Sequence, residues 1–256
     1  ETGVKGEITR PEWATNMYTK MRVAMKYGGS AEVCEVYGDG EVEEYTVRLQ
    51  ATEARLQLKV LLEGAFDAEM GLMSNYLLQR NLIPLAQPFN TEPWNYEGTD
   101  AVENEMLLPE NAVDWVLVEI RDANNPAIII EQKAAILLQD GTIGDTRNPS
   151  DVKGLRFESN LQESDFYVSI KTRNHLAVLS SQAVTLPTSM PFDMTNPNNV
   201  SGGESQIVEL KNGEFGLLAG DFNSDGVVSV EDFNFFNAQL ALLNFYVDGD
   251  GNMDGM

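Results

Sequence analysis

The run from Asp221 to Asp232 restricts this chain more than anything before it. Asp221, Asn223 and Asp225 alternate, Gly226 follows, and Asp232 closes the run. Oxygen donors at alternate positions, then a glycine, then a carboxylate six residues later have the spacing of a calcium loop. Calcium takes six to eight oxygens at about 2.3–2.6 Å, and the glycine permits the sharp turn between ligands. Side-chain oxygens are expected from Asp221, Asn223 and Asp225, a carbonyl from Val227, a hydroxyl or bridging water from Ser229, and a final carboxylate from Asp232. The opening recurs as Asp250, Asn252 and Asp254 with Gly255, and the sequence stops at Met256, before this second loop's later ligands. A register starting at Asp248 would put Met253 where the glycine belongs, so Asp250 is the expected first ligand. Between the loops Val230, Phe233, Phe236 or Asn237, Leu240 and Leu243 recur at helical spacing, with Ser229 placed as N-cap. The competing reading is a pair of Asp/Asn/Gly turns with no ion.

The chain has 256 residues, 43% of them hydrophobic, which is ample for packed cores. Its net charge of −23 disfavours nucleic acid and anionic membranes as partners, since both would be repelled. Two bound calcium ions would bring the charge only to about −19. One cysteine, Cys34, excludes an intrachain disulfide, and one histidine, His175, excludes clustered histidine metal sites. No apolar run approaches the length of a transmembrane helix. No signal segment is visible either, which does not assign the chain to the cytoplasm.

Upstream of the loops the pattern is mainly β. Residues 21–27 and 41–49 alternate with period two. Leu56, Leu58 and Val60 alternate as well, and Val113 to Ile120 is apolar on both faces for part of its length, as in a central strand. Two apolar runs flank Glu131-Gln132-Lys133, and Asp140-Gly141 signals a turn. Residues 166–171 and 176–179 complete a strand-dominated set. The stretch 66–93 shows no alternation, with a short helix expected at Ser74–Arg80. The expected fold is therefore antiparallel β-sandwich modules followed by a small calcium-loop and helix module. Expected boundaries are a partial β domain at 1–50, a sandwich at 53–187, a linker and hairpin at 188–216 with an Asn212-Gly213 turn, and the calcium module at 217–256.

Three resemblances follow from particular residues. Met21-Arg22-Val23, Lys26-Tyr27-Gly28, Cys34-Glu35 and Gly40 to Val47 resemble the C-terminal part of a GEVED domain, with Glu44 where that family has Asp. Residues 62–67, 82–84, 87–90, 93–98, 113–119 and 173–178 resemble a module of secreted multidomain proteins of Bacteroidota type. The paired loops from Asp221 and Asp250 resemble a type I dockerin, whose loops lack the entering helix of a full EF-hand. Together they imply a secreted, extracellular or cell-surface bacterial protein with no enzymatic role, in which calcium serves structure, adhesion or assembly.

No catalytic constellation emerges. His175 and Cys34 read as structural residues, and Glu103 with Glu105 is a chance pairing in a chain with 40 acidic residues. Trp94 and Tyr96 are candidates for a carbohydrate platform, against the alternative of core packing. Asn199-Val200-Ser201 is a glycosylation sequon. The expected cofactor is calcium. The expected partners are other copies of the chain, other cell-surface proteins, glycans, or a cohesin that receives the dockerin-like module.

Overall fold

A computed structural model describes residues 17–29, 39–49, 54–150, 153–157, 161, 164–211, 213–239, 242 and 245–255. The chain divides into two compact units, 1–52 and 53–256. Cys34, Leu240, Leu243 and Asn212 lie outside the described residues.

In the first unit, β1 (Met17–Lys26) and β2 (Gly40–Leu49) pair antiparallel over their whole length, from Met17 opposite Leu49 to Lys26 opposite Gly40. Arg22 faces Glu44 across the ladder and ion-pairs with it at the surface. Period two sets Val42 on the opposite face from Tyr45 and Val47, so these residues do not form one apolar row.

The second unit is mainly β. Its strands are β3 (Ala54–Leu56), β4 (Leu58–Lys59), β5 (Phe66–Asp67), β6 (Leu72–Met73), β7 (Ala112–Asp122), β8 (Ile129–Leu138), β9 (Ile143–Gly144) and β10 (Leu155–Phe157). They continue with β11 (Asp165–Lys171), β12 (Val178–Leu179), β13 (Val184–Thr185), β14 (Phe192–Asp193), β15 (Ile207–Lys211) and β16 (Glu214–Leu217). A curled six-stranded sheet runs β12-β11-β7-β8-β9, with β13 also on β11. Among the described residues the other strands pair only two by two, so no second sheet of comparable size faces it.

The central strand β7 is buried from Ala112 to Ile120, which is why its sequence does not alternate. The turn at Asp140-Gly141 is formed, with Gly141 at φ 87° and its amide donating to the Leu138 carbonyl. The short helix α1 covers Tyr76–Gln79 and buries Leu77.

Residues 188–216 are not a detached linker. β14 pairs in parallel with β4, the Thr188 amide donates to the Arg55 carbonyl, and Leu62 bridges Leu217. The polar composition of this stretch reflects its many turns, while Met194, Val200 and Ile207 supply buried anchors. The hairpin β15–β16 forms with an irregularity between Glu209 and Lys211. The helix α2 (Val230–Gln239) follows the first loop, as its spacing predicts. Its apolar stripe does not enter a core, however: Val230 and Phe233 are exposed, and the buried residue of this helix is Asp232.

Candidate metal centre

The loop at 221–232 is organised by its carboxylates. Asp221 accepts from the backbone amides of Asp225 and Gly226, each at 3.1 Å. Asn223 Oδ1 accepts from the Asp225 amide at 3.0 Å, and Asp225 Oδ1 accepts from Val227 at 2.9 Å. Asp232 reaches back from the helix and accepts from Asn223 at 3.2 Å and Ser229 at 2.7 Å. The Ser229 hydroxyl in turn accepts from the Glu231 amide at 3.1 Å, so Ser229 and Asp232 form a reciprocal cap on α2. Ser224 and Gly226 take φ of 54° and 88°, which closes the turn.

The second loop repeats this geometry in the register beginning at Asp250. Asp250 accepts from Asp254 at 3.1 Å and from Gly255 at 2.8 Å, and Asn252 Nδ2 donates to Asp254 at 2.8 Å, matching Asn223 and Asp225 at 3.0 Å. Met253 and Gly255, at φ 56° and 75°, stand where Ser224 and Gly226 stand. Met253 differs in being buried in the core, which fastens this loop to the β unit.

Electrostatically the loops are unfinished. Asp221 and Asp232 are each 2% exposed, and among the described residues no lysine or arginine ion-pairs with either. Burial, with Asp232 and Asp225 nearby, pushes the Asp221 carboxyl above its ordinary range. Burial pushes Asp250 up too, against the opposing amide of Gly255 and charge of Arg173. Buried like charges are costly without a counter-ion. Among the described residues, no three His, Cys, Asp or Glu side chains converge into a closed cage; the carboxylates turn to backbone amides instead. The residues that would hold calcium are oxygen donors: Asp221, Asn223, Asp225 and Asp232 by side chain, Val227 by its carbonyl and Ser229 by its hydroxyl. Asp250, Asn252 and Asp254 supply the corresponding first half of a second set.

What joins the loops to the sheet is the sequence Arg173-Asn174-His175, a role its local pattern does not reveal. Arg173 is 1% exposed, donates through Nε to Asp114 Oδ2 at 2.9 Å and through Nη1 to the Val247 carbonyl, and lies over the Tyr246 ring at 4.1 Å. Tyr246 completes the cluster with a 2.5 Å bond from its hydroxyl to Asp114. Asn174 Nδ2 donates to the Asp250 carbonyl at 2.7 Å, while its own carbonyl accepts from Gly220, the residue before Asp221, at 3.0 Å. His175 lies 2.7 Å by Nδ1 from Asn174 Oδ1 and accepts by Nε2 from the Gly64 amide at 3.2 Å. This fixes the neutral tautomer with the proton on Nδ1. Burial, and then the Arg173 charge, lower its pKa to about 3. The one clue in the sequence was Asp114, which with Glu119 places a charge inside a largely apolar run, where a buried strand must pair it.

The loops also meet one another. Phe222 stacks on Phe236 at 5.9 Å, and Gly251 sits against the Phe222 ring. The Gly249 amide donates to Gln239 at the end of α2 at 2.7 Å.

The carbohydrate platform is not formed. Tyr96 is buried and its hydroxyl donates to Asp100, while Trp94 rests edge-on against Phe89 at 5.3 Å. Both rings serve the packing of the 87–100 loop, because the Tyr96 hydroxyl has its partner inside. Trp115 is fully buried, with its indole N–H on the Pro84 carbonyl at 2.8 Å. The Asn199 amide nitrogen is engaged with the Asp193 carbonyl at 2.8 Å.

Residues 1–48 match the GEVED domain. That match takes in the residues whose pattern resembled the family. No curated protein and no solved structure matches the chain. Among the described residues no helix is long and apolar enough to cross a membrane.

Proposed function

We propose that this chain is a non-enzymatic, calcium-stabilised portion of a secreted or cell-surface bacterial protein, with a structural or adhesive task outside the cell. Residues 53–216 act as a β module built on the six-stranded sheet, and 217–256 act as a dockerin-like calcium module that stiffens the C-terminal end. The observation that carries this reading is the matched geometry of the two loops, with Asp221 and Asp232 buried and without a cationic partner among the described residues. Ion binding then adds to folding free energy, because the carboxylates repel one another until the ion arrives. The GEVED match of residues 1–48 supports membership in a larger modular protein.

Calorimetric titration of the calcium-depleted chain tests it. One tight site lost in Asp221→Ala is expected, together with a melting transition that rises in calcium and falls in EGTA. A melting curve indifferent to EGTA, with no heat of calcium binding, overturns the proposal. A second reading, docking onto a cohesin-like partner, is favoured by the apolar exposure of Val227, Val230 and Phe233 on this module, at 59%, 72% and 57%. Retention on an immobilised cohesin, lost in Phe233→Ser, would select it.

A further inference from the structure

Away from the loops, a second charged cluster lies on the six-stranded sheet. Glu119 of β7 is fully buried. The register sets Ser169 of β11 opposite it on one side and Gln132 of β8 on the other. Period two places Arg121 and Lys171 on the same face. Both Glu119 oxygens are saturated. Oε1 accepts from Lys171 Nζ at 2.8 Å and Gln132 Nε2 at 2.9 Å, and Oε2 accepts from Arg121 Nε at 2.8 Å and also from Nη2. Burial pushes the Glu119 carboxyl up, but Lys171 and Arg121 outweigh it and hold it below the usual range. Two cations therefore share one carboxylate, and one positive charge is left over in a chain of net charge −23.

That surplus opens onto a cleft of about 440 Å³ between the sheet and the segment from Ser201 to Gln206, which is tied down by the Ser201 amide on the Leu179 carbonyl at 2.8 Å. The volume lies within the range of small-ligand sites, about 300–1,000 Å³. Arg121, Lys171, Ser169, Ser201 and Gln206 line it, and Ala177 to Leu179 form an apolar wall. Ser169, a buried residue at 5% exposure, also lines the cleft. Lys171 spends one of its three donors on Glu119, and Arg121 keeps N–H groups beyond those on Glu119 and the Pro126 carbonyl.

We propose that this cleft binds a hydroxylated monocarboxylate of monosaccharide size, namely a uronic acid residue. A single carboxylate balances the single surplus charge, whereas a phosphate dianion exceeds it. Ser169, Ser201 and Gln206 offer hydroxyl and amide groups that both donate and accept, as vicinal sugar hydroxyls require. The apolar wall accommodates a sugar's C–H face. The site is separate from the calcium loops and stands whether or not they bind calcium.

The test is a titration of the ¹⁵N-labelled full chain, in constant calcium, with sodium glucuronate and sodium galacturonate, using glucose, galactose and acetate as controls. Saturable shifts of the amides of Ser169, Lys171 and Ser201 to Gln206 are expected. Neutral sugars and acetate should bind at least about tenfold more weakly, since each lacks half of the recognised chemistry. Lys171→Met should abolish binding. Ser169→Ala and Gln206→Ala, which leave the Glu119 ion pairs intact and so keep the fold, should weaken it severalfold. The proposal is overturned by shifts centred on 221–232 or 250–255, which would mean sugar held through calcium. Equal binding of neutral sugars, indifference to Ser169→Ala and Gln206→Ala, or no saturable shift overturns it as well.

Discussion

The Asn174 side chain donates to the carbonyl of Asp250 at 2.7 Å. The Asn174 carbonyl holds the amide of Gly220 at 3.0 Å, so one residue fixes the entry to both loops. Asn174→Ala removes only the side-chain half of this arrangement: the Asp250 carbonyl keeps the Met253 amide at 3.3 Å, while the buried His175 Nδ1 loses its partner Asn174 Oδ1. The expected cost is about 1–3 kcal/mol of unfolding free energy in urea. Hydrogen exchange should quicken at Asp254 and Gly255, whose amides rest on Asp250, and stay unchanged at Asp225 and Gly226. Equal loosening of both loops would show that Asn174 does not act on the second loop in particular.

Gly64 allows the second loop to approach. A Cβ placed there would lie 1.7 Å from the Gly251 carbonyl oxygen and 3.3 Å from the Asn252 Cα. That overlap with backbone cannot be relieved by a rotamer change. Gly64→Ala should therefore displace 250–255 and expose Met253, which is otherwise 1% exposed. Methionine oxidation by peroxide reports this directly: Met253 should oxidise several times faster in the variant, against exposed Met70 and Met106 as internal references. An unchanged ratio would mean that the loop does not move.

How much of this was legible in the sequence follows from the range of the interactions. The ligand spacing, the glycines at 226 and 255, the capping serine and the alternation of β1, β2 and β11 are local, and local chemistry is written in adjacent residues. The pairing of β14 with β4 joins segments more than a hundred residues apart, so 188–216 read as a linker because its turns outnumber its anchors. Tyr96 read as a platform because its sequence does not reveal that its hydroxyl ends on Asp100 inside the molecule. The joint made by Arg173, Asp114 and Tyr246 was visible only as charges placed among apolar neighbours, with no indication of which charges meet.

That joint gives a further prediction. Arg173 and Asp114 are each 1% exposed by side chain and 2.9 Å apart. Arg173→Met leaves Asp114 buried with only the Tyr246 hydroxyl and the Trp115 amide, and leaves the Val247 carbonyl with the Asp250 amide alone at 3.3 Å. Breaking one side of a buried pair costs about 3–5 kcal/mol, whereas replacing both sides costs much less. Urea unfolding of Arg173→Met, Asp114→Asn and the double variant should show the double variant more stable than the sum of the single losses predicts. Strict additivity would mean that the two charges do not act as a pair.

His175 provides the pH dependence. Its pKa is lowered to about 3 in the folded chain, against an ordinary value of about 6.5. Between these values the unfolded chain binds a proton that the folded chain refuses, so stability is complete at neutral pH and is lost as pH falls. The slope is at most about 1.4 kcal/mol per pH unit, or about 2 kcal/mol from pH 6.5 to 5. Asp221 and Asp250 act in the opposite direction without calcium. Their raised pKa values mean that the folded chain keeps protons the unfolded chain has lost, so their contribution is present in acid and lost as pH rises. Saturating calcium should suppress that opposing effect by holding the carboxylates ionised. Urea unfolding in calcium at several pH values between 5 and 7 should therefore give a steeper acid loss for the natural chain than for His175→Gln. Parallel slopes would show that the imidazole is protonated in the folded chain and that the hydrogen bond from Gly64 to Nε2 does not persist.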